Sequence, residues 1–176
     1  IHNANTSNMG EYRCRVSNNY GAITSEKATL ALRIPPVFTG QPADVNGTNG
    51  QNKWLRVKVS SPLAVTYQWQ KDSANLPASS SVTLAMYVSA HDSAKRKWLR
   101  DDSGRWGFIT PEGVGRMGGK TIHLGTDAWN NPANWLGWNY LPLNSMNSSH
   151  AGNYKCVATS SFGSATSDEI TVNVTS

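Results

Sequence analysis

The stretch GNYKCVATSSFGSATSDEITVNV, residues 152–174, decides the fold. Its YKCVAT segment alternates, so that Tyr154, Cys156 and Ala158 share one side of an extended strand. The SSFGS segment places a glycine where a turn most easily needs a positive φ. The TSDEITVNV segment then alternates again. The stretch therefore predicts two β-strands joined by a turn, each with one face against a core.

The same pattern stands near the start of the chain. Residues 10–32 read GEYRCRVSNNYGAITSEKATLAL and align without a gap to residues 152–174. The aligned pairs include Gly10 with Gly152, Tyr12 with Tyr154 and Cys14 with Cys156. A repeat of this length indicates two copies of one supersecondary unit.

These residues resemble the E–F–G region of immunoglobulin-like (Ig-like) β-sandwich domains of the I-set-like kind. The resemblance is to the cysteine-poor type found on bacterial and bacteriophage surfaces. The positions that carry it are Leu141, Leu143, Met146, Gly152, Tyr154 and Cys156. In that fold a tyrosine two residues before the cysteine forms a tyrosine corner. The resemblance implies that Tyr12 and Tyr154 do so here.

The chain departs from the family pattern just before these tyrosines. The family usually has an acidic residue before Ala-Gly, but here the position holds His150 in the second copy and Asn8 in the first. This puts the usual arginine–aspartate surface pair in doubt and leaves the fold unaffected.

Residues 35–77 resemble the front half of the same kind of domain. WLRVKVSS, residues 54–61, is typical of a B strand with Leu55, Val57 and Val59 inward. VTYQWQKDSANLP, residues 65–77, resembles a C strand with a buried Trp69. The family has a cysteine where Val57 stands. The resemblance therefore implies that Cys156 has no disulfide partner and packs with Val57 against Trp69. Folding would then not depend on an oxidising compartment.

The expected fold class is all-β, with tandem Ig-like β-sandwiches. Residues 1–34 correspond to the C-terminal half of an Ig-like domain, its E, F and G strands only. Residues 35–176 correspond to an Ig-like domain with a β-rich insertion at about 78–138, because about 100 residues suffice for such a domain. Three strands leave one inner face bare. We expect that face to be covered by sequence upstream of Ile1 or by another chain, and a longer tandem array is favoured.

The insertion holds a predicted hairpin, KRKWLRDDSGRWGFIT, at residues 95–110. It also holds five of the seven tryptophans of the chain, Trp98, Trp106, Trp129, Trp135 and Trp138. Two interpretations are open. The rings can form the small core that a β-insertion needs, since tryptophan buries the most area per residue. Alternatively they can form a contact surface for glycan or protein.

A glycine-rich segment in the insertion imitates a nucleotide-binding motif. Gly113, Gly115 and Gly118 have the G-x-G-x-x-G spacing, and the segment 119–121 reads Gly-Lys-Thr. A phosphate-binding loop needs a glycine five positions before the glycine of Gly-Lys-Thr, where this chain has Val114. No amphipathic helix follows. The segment therefore predicts a glycine-rich turn between strands, without a cofactor.

No catalytic or metal site is expected. Asp101 and Asp102 are adjacent on a turn, and a consecutive His-Asp-Ser at 91–93 cannot form a triad within itself. The four histidines and two cysteines lack zinc-ligand spacing. The net charge of +5 is spread along the chain, which argues against a nucleic-acid partner. No apolar run reaches the length of a membrane span.

The sequence therefore predicts a non-enzymatic structural or adhesive module of a larger extracellular filament, cell-surface or phage-virion protein. Its expected partners are other copies of the same chain or neighbouring Ig-like domains. The alternative is a carbohydrate-binding module that recognises surface glycan through the Trp-rich insertion. Solvent exposure of Trp129, Trp135 and Trp138 separates the two functions, because exposed coplanar rings favour glycan binding and packed rings favour the structural role.

Overall fold

The computed structural model describes residues 2–176, apart from the side chain of Ser89. The chain divides between Ile34 and Pro35 into two compact units. Nearly all of its regular structure is β. The described helical elements are short: α1 (Thr126–Asn130) and 3-10 turns at Thr6–Asn8, Ala78–Ser80, Pro132–Trp135 and Ser148–His150.

The first unit contains two small antiparallel sheets. Its strands are β1 (Gly10–Tyr12), β2 (Arg15–Asn18), β3 (Gly21–Thr24) and β4 (Ala28–Leu30). Strand β1 pairs with β4, and β2 pairs with β3 across the turn at residues 19–20. Each sheet therefore has only two strands.

The second unit contains two larger sheets. Its strands are β5 (Val37–Gly40), β6 (Val45–Thr48), β7 (Lys53–Ser60), β8 (Thr66–Lys71), β9 (Ala74–Asn75), β10 (Val82–His91), β11 (Lys97–Asp101), β12 (Trp106–Ile109), β13 (Val114–Met117), β14 (Lys120–His123), β15 (Trp138–Leu143), β16 (Gly152–Ser160), β17 (Gly163–Thr166) and β18 (Ile170–Thr175). One sheet has the order β6-β18-β16-β8-β9, with β17 paired to β16. The other has the order β14-β13-β12-β11-β10-β15-β7-β5.

The sandwich core lies between these two sheets and is centred on Trp69. In the register of β8 and β16, Trp69 stands opposite Cys156. Val57 of β7 is fully buried in the same cluster. Both cysteines are free thiols. Packing of an indole, a thiol and a valine therefore occupies the position where the family resemblance places a disulfide.

The insertion extends the sheet of the sandwich and adds a second core. Strands β10 to β14 continue outward from β15, and the sheet curls until β14 lies back near β15 and β7. The Asn144 side-chain amide donates to the Thr121 carbonyl across this junction, at 2.7 Å. The second core is enclosed by this curl and contains Val82, Leu84, Leu99, Ile109, Met117, Ile122, Leu124, Ala128, Trp135 and Tyr140.

The glycines of the imitated nucleotide motif shape this curled sheet. Gly118 and Gly119 both have positive φ, 57° and 76°, and form the two-residue turn between β13 and β14. A type I′ turn needs positive φ at both central residues. A Cβ on Gly113 would strike the backbone carbonyl of Gly125. A tight turn accounts for Gly118 and Gly119, and close backbone approach accounts for Gly113.

Both copies of the repeat form a tyrosine corner. The Tyr12 hydroxyl donates to the Asn8 carbonyl at 2.7 Å, and the Tyr154 hydroxyl donates to the His150 carbonyl at 2.9 Å. Each bond spans four residues. The corner therefore forms in the first unit without the strands that cover Tyr154 in the second.

Asn139 joins the sandwich to the insertion. It is buried on β15 and accepts the indole N–H of Trp69 at 2.7 Å. Its amide nitrogen donates to the hydroxyl of Thr83 on β10 at 3.0 Å. The buried amide accepts one hydrogen bond and donates another, and so links β8 of the sandwich to β10 of the insertion.

Replacement of Asn139 by alanine should lower the free energy of unfolding by about 1–3 kcal/mol, because the buried indole N–H of Trp69 loses its acceptor. Denaturant titration measures the loss. The matched control is N173A, whose exposed amide donates to Asn46 and whose loss should cost less than about 0.5 kcal/mol. Equal effects of the two substitutions would contradict the bridging role of Asn139.

Candidate interaction surfaces

The first unit exposes an apolar surface, here called the N-terminal apolar face, which consists of Val16 and Ile23 on the β2–β3 hairpin. Val16 stands opposite Ile23 in the β2–β3 register. Val16 is 63% exposed and Ile23 is 75% exposed. In soluble proteins a contiguous exposed apolar surface marks a contact site.

The second copy of the repeat shows what covers the equivalent surface there. Ala158, which aligns with Val16, is fully buried. It stands opposite Tyr67 of β8. In the second unit, therefore, residues 66–71 form the strand that pairs beside the repeat in the same sheet, and the opposite sheet, which contributes Leu55 and Val57, packs over its inward face.

The sequence assigned Tyr12 and Cys14 to a core, and this needs correction for the first unit. Tyr12 is 44% exposed and Cys14 is an exposed thiol. The alternation predicts that these residues share one face, but residues 2–34 contain no strand equivalent to β7 or β8. A face becomes a core only when something packs against it.

In the insertion, three of the five tryptophans pack against the protein. Trp135 is 7% exposed, and its ring lies 5.4 Å edge-on from Trp54 and 5.8 Å from Tyr140 in a stacked arrangement. Trp138 is half-buried. The Arg56 guanidinium lies 4.2 Å from the Trp138 ring centroid and about 5 Å from those of Trp54 and Trp135. These rings form a packed aromatic cluster around one cation.

Trp129 is also half-buried, on helix α1. The Lys97 ammonium lies 4.4 Å from its ring and donates to its backbone carbonyl at 2.6 Å. Trp98 and Trp106 differ, because they are exposed on β11 and β12. The five tryptophans thus do not form one platform. Three support the second core and two face solvent.

Sequence reasoning did not single out Arg56 or Asn139. Arg56 lies on the outward face of β7, where an alternating pattern predicts only a solvated charge. Its partners Trp135 and Trp138 are about eighty positions away in the sequence. No local signal identifies such a contact.

Burial distinguishes the two thiols. It raises the pKa of the Cys156 thiol to about 12, whereas Cys14 is exposed. A protonated, buried thiol is a poor nucleophile. Cys156 therefore serves as a core residue.

Two acidic residues of the insertion hairpins, Asp92 and Asp101, form ion pairs. The Asp101 carboxylate is fully buried and bonds the Arg105 backbone and guanidinium, both at 2.8 Å. Asp92 bonds Arg96 in the same way, and hydrogen bonds from Arg96 to its carboxylate lower the Asp92 pKa. Each carboxylate accepts hydrogen bonds from the backbone and the guanidinium of the arginine four residues later, and so stabilises the turn between two strands.

Within residues 2–176, no group of three or more His, Cys, Asp or Glu side chains is placed to hold a metal ion. Nor does any helix in the described part of the chain have the length and apolarity that a membrane span requires.

No protein-family model matches the chain. Segments of it resemble curated proteins. The human cell adhesion molecule DSCAM is 32% identical over 63 residues, 36% of this chain and 3% of that protein. Human protogenin is 35% identical over 71 residues, 40% of this chain and 6% of that protein. Human leucine-rich repeats and immunoglobulin-like domains protein 2 is 32% identical over 72 residues, 41% of this chain. The matched segments span less than a tenth of these relatives.

Solved structures match almost the whole chain. A three-Ig structure of titin domains superimposes with a TM-score of 0.57 at 18% identity, covering 99% of this chain and 44% of that one. The extracellular domains 3-5 of Drosophila OTK give a TM-score of 0.51 at 15% identity, covering 99% of this chain and 42% of that one. At such identities the similarity establishes the fold alone.

The chain is thus an all-β protein with the fold of tandem Ig-like domains, and the expected fold class is confirmed. Residues 2–34 form two two-stranded sheets, and in the second unit strands β10 to β14 extend one sheet of the sandwich. The expected bacterial or bacteriophage subtype finds no support, since the relatives reported above are human proteins.

The two thiols should differ in reactivity. In dilute solution at about pH 8, a disulfide reagent such as DTNB should modify Cys14 rapidly and Cys156 only after denaturant is added. Absorbance of the released thiolate gives the number of modified cysteines. Rapid modification of both thiols without denaturant would contradict the burial of Cys156.

The Cys156 thiol also makes stability depend on pH. Because burial raises the pKa of this thiol in the folded state, its contribution to the free energy of unfolding is present below the unfolded pKa and is lost as the pH rises toward about 12.

Replacement of Arg56 by methionine keeps the aliphatic stem and removes the charge that faces three tryptophan rings. We expect a loss of about 1–2 kcal/mol in the free energy of unfolding. The control is K58M, because Lys58 is exposed and lies 5.9 Å from the Trp138 ring. Denaturant titration compares them, and an equal loss in K58M would show that Arg56 has no special role.

Proposed function

We propose that this chain is a non-enzymatic structural and adhesive Ig-like module of a larger extracellular assembly, which works through contacts with other Ig-like domains. The N-terminal apolar face carries this proposal. Its Val16 is 63% exposed, whereas the equivalent residue of the second unit, Ala158, is buried. Such a surface suits packing against β-strands of another Ig-like domain.

The low stability expected of isolated two-stranded sheets supports a need for further strands that pack against the first unit. A two-stranded sheet is marginally stable alone in water. The described first unit has two such sheets, and every residue of β1, β2 and β3 is exposed. A covering layer would bury Val16 and Ile23, each with a gain of about 1.5–3 kcal/mol. The proposed partners are other copies of this chain or neighbouring Ig-like domains.

The internal repeat specifies which strand would pair beside the first unit. In the second unit the neighbouring strand β8 places Trp69 next to Cys156 in the same sheet. By alignment, a strand that pairs beside the first unit should place an aromatic side chain next to Cys14. This is the arrangement that the front half of an Ig-like domain provides.

We propose that the chain acts at the cell surface. Among the relatives, one bears the name of a cell adhesion molecule, and one matching structure consists of extracellular domains. The filament and virion settings considered from the sequence have no such support.

Light scattering coupled to size exclusion tests assembly through this face. We expect the chain to self-associate as its concentration rises, and V16D to remain monomeric because a carboxylate cannot be buried there without a partner. The matched control is S17D, which places the same charge on the opposite face of β2. A chain that stays monomeric at all concentrations, or equal behaviour of V16D and S17D, would contradict the proposal.

A further inference from the structure

Five side chains project from the outer surface of the insertion sheet and form what we call the aromatic–arginine face. Their neighbours along each strand, such as Leu99 and Ile109, are buried in the second core. Because side chains alternate along a strand, the residues between them face outward. The face consists of Trp98 and Arg100 on β11, Trp106 and Phe108 on β12, and Arg116 on β13.

The strand register sets these side chains side by side. Trp98 stands opposite Phe108, and Phe108 stands opposite Arg116. Arg100 stands opposite Trp106, with its guanidinium 5.9 Å from the indole ring. Three aromatic and two cationic side chains therefore lie side by side on three adjacent strands.

A groove of about 360 Å³ lies on this face, lined by Trp98, Trp106, Phe108 and Arg116, with Lys120 and Thr121 at its β14 side. Ligand sites typically enclose about 300–1,000 Å³. Trp106 is 53% exposed, which is a large uncovered indole for a residue in a regular strand. The groove is thus of a size for a small ligand unit and has an uncovered ring beside it.

The charge of the face is positive and largely uncompensated. Nearby Arg96 and Arg105 form ion pairs with Asp92 and Asp101. Arg100, Arg116 and Lys120 take part in none of the ion pairs found among the described residues. A ligand for this face must therefore bring negative charge as well as an apolar surface.

We propose that the aromatic–arginine face binds an anionic oligosaccharide. The apolar face of a sugar ring stacks on the Trp106 indole, and carboxylate or sulfate groups pair with Arg100 and Arg116. A guanidinium matches such groups because its planar fork donates two parallel hydrogen bonds. The site lies in the second unit and does not depend on the assembly proposed for the first.

The fold disfavours a peptide at this face. Peptides commonly add a strand to an exposed sheet edge or lay an apolar helix face into an apolar groove. Strands β11, β12 and β13 are each paired on both sides, so they offer no edge. Strand β14 ends the sheet, and it lies back near β15 and β7. The groove is also cationic. A nucleic acid is disfavoured because its phosphates call for a longer basic track.

Calorimetric titration of the full chain with a heparin-derived hexasaccharide tests the proposal. We expect binding to this probe, and binding at least about tenfold weaker to neutral maltohexaose. W106A and R116Q should each weaken binding about tenfold, the effect of losing one stacking or charge-assisted contact. Both positions are exposed, so both variants should keep the melting temperature of the parent chain.

The matched controls are Y20A, which removes an exposed ring from the first unit, and R13Q, which removes an exposed charge there. Both should bind like the parent, as should V16D, which separates this site from the assembly face. The proposal is overturned if the hexasaccharide does not bind, if maltohexaose binds equally, or if W106A and R116Q bind like the controls. Equal binding of polyglutamate or of a single-stranded DNA oligonucleotide would also overturn it, because charge alone would then explain the affinity.

Discussion

Strands β7 and β15 carry apolar side chains on both faces, and the second unit depends on this constraint. Leu55 and Leu141 point into the sandwich core, whereas Trp54 and Tyr140 point into the core of the insertion. A sheet in a two-layer sandwich normally leaves one face to solvent. Here the insertion covers that face, and the second core lies between the insertion and strands β7 and β15.

Polar and cationic groups fix the geometry of this shared layer. Asn139 bonds Trp69 on one side and Thr83 on the other, which ties the buried indole to the first strand of the insertion. Arg56 lies among three indoles on the opposite face. Apolar burial supplies most of the stabilisation, while these directional contacts determine which strands lie together.

The two units show the same local sequence in two environments. The tyrosine corner forms in both, because its hydrogen bond is made within five residues of chain. The strand before the turn is continuous from Gly152 to Ser160 in the second unit, but is interrupted at Arg13 and Cys14 in the first. In the second unit β8 pairs along this strand and holds it extended. The first unit has no such neighbour among its described residues.

The sequence by itself determined the features that depend on local pattern. The repeat, the alternation of its strands and the glycine-rich turns all follow from chemistry within a few residues. The family resemblance around Gly152, Tyr154 and Cys156 indicated an Ig-like sandwich, and Val57 at the family's cysteine position implied a free buried thiol. The same reasoning rejected the imitated phosphate loop, because its spacing is off by one position.

Only the tertiary structure decided which faces are covered. Five tryptophans in the insertion look alike in sequence, yet Trp135 is buried beside Arg56 while Trp106 is exposed beside Arg100. A period of two tells which residues share a face, but what packs against that face comes from strands far away in the chain. That is why the pattern could place Val16 and Ala158 at the same position of one motif, while only the fold could leave the first in solvent and bury the second.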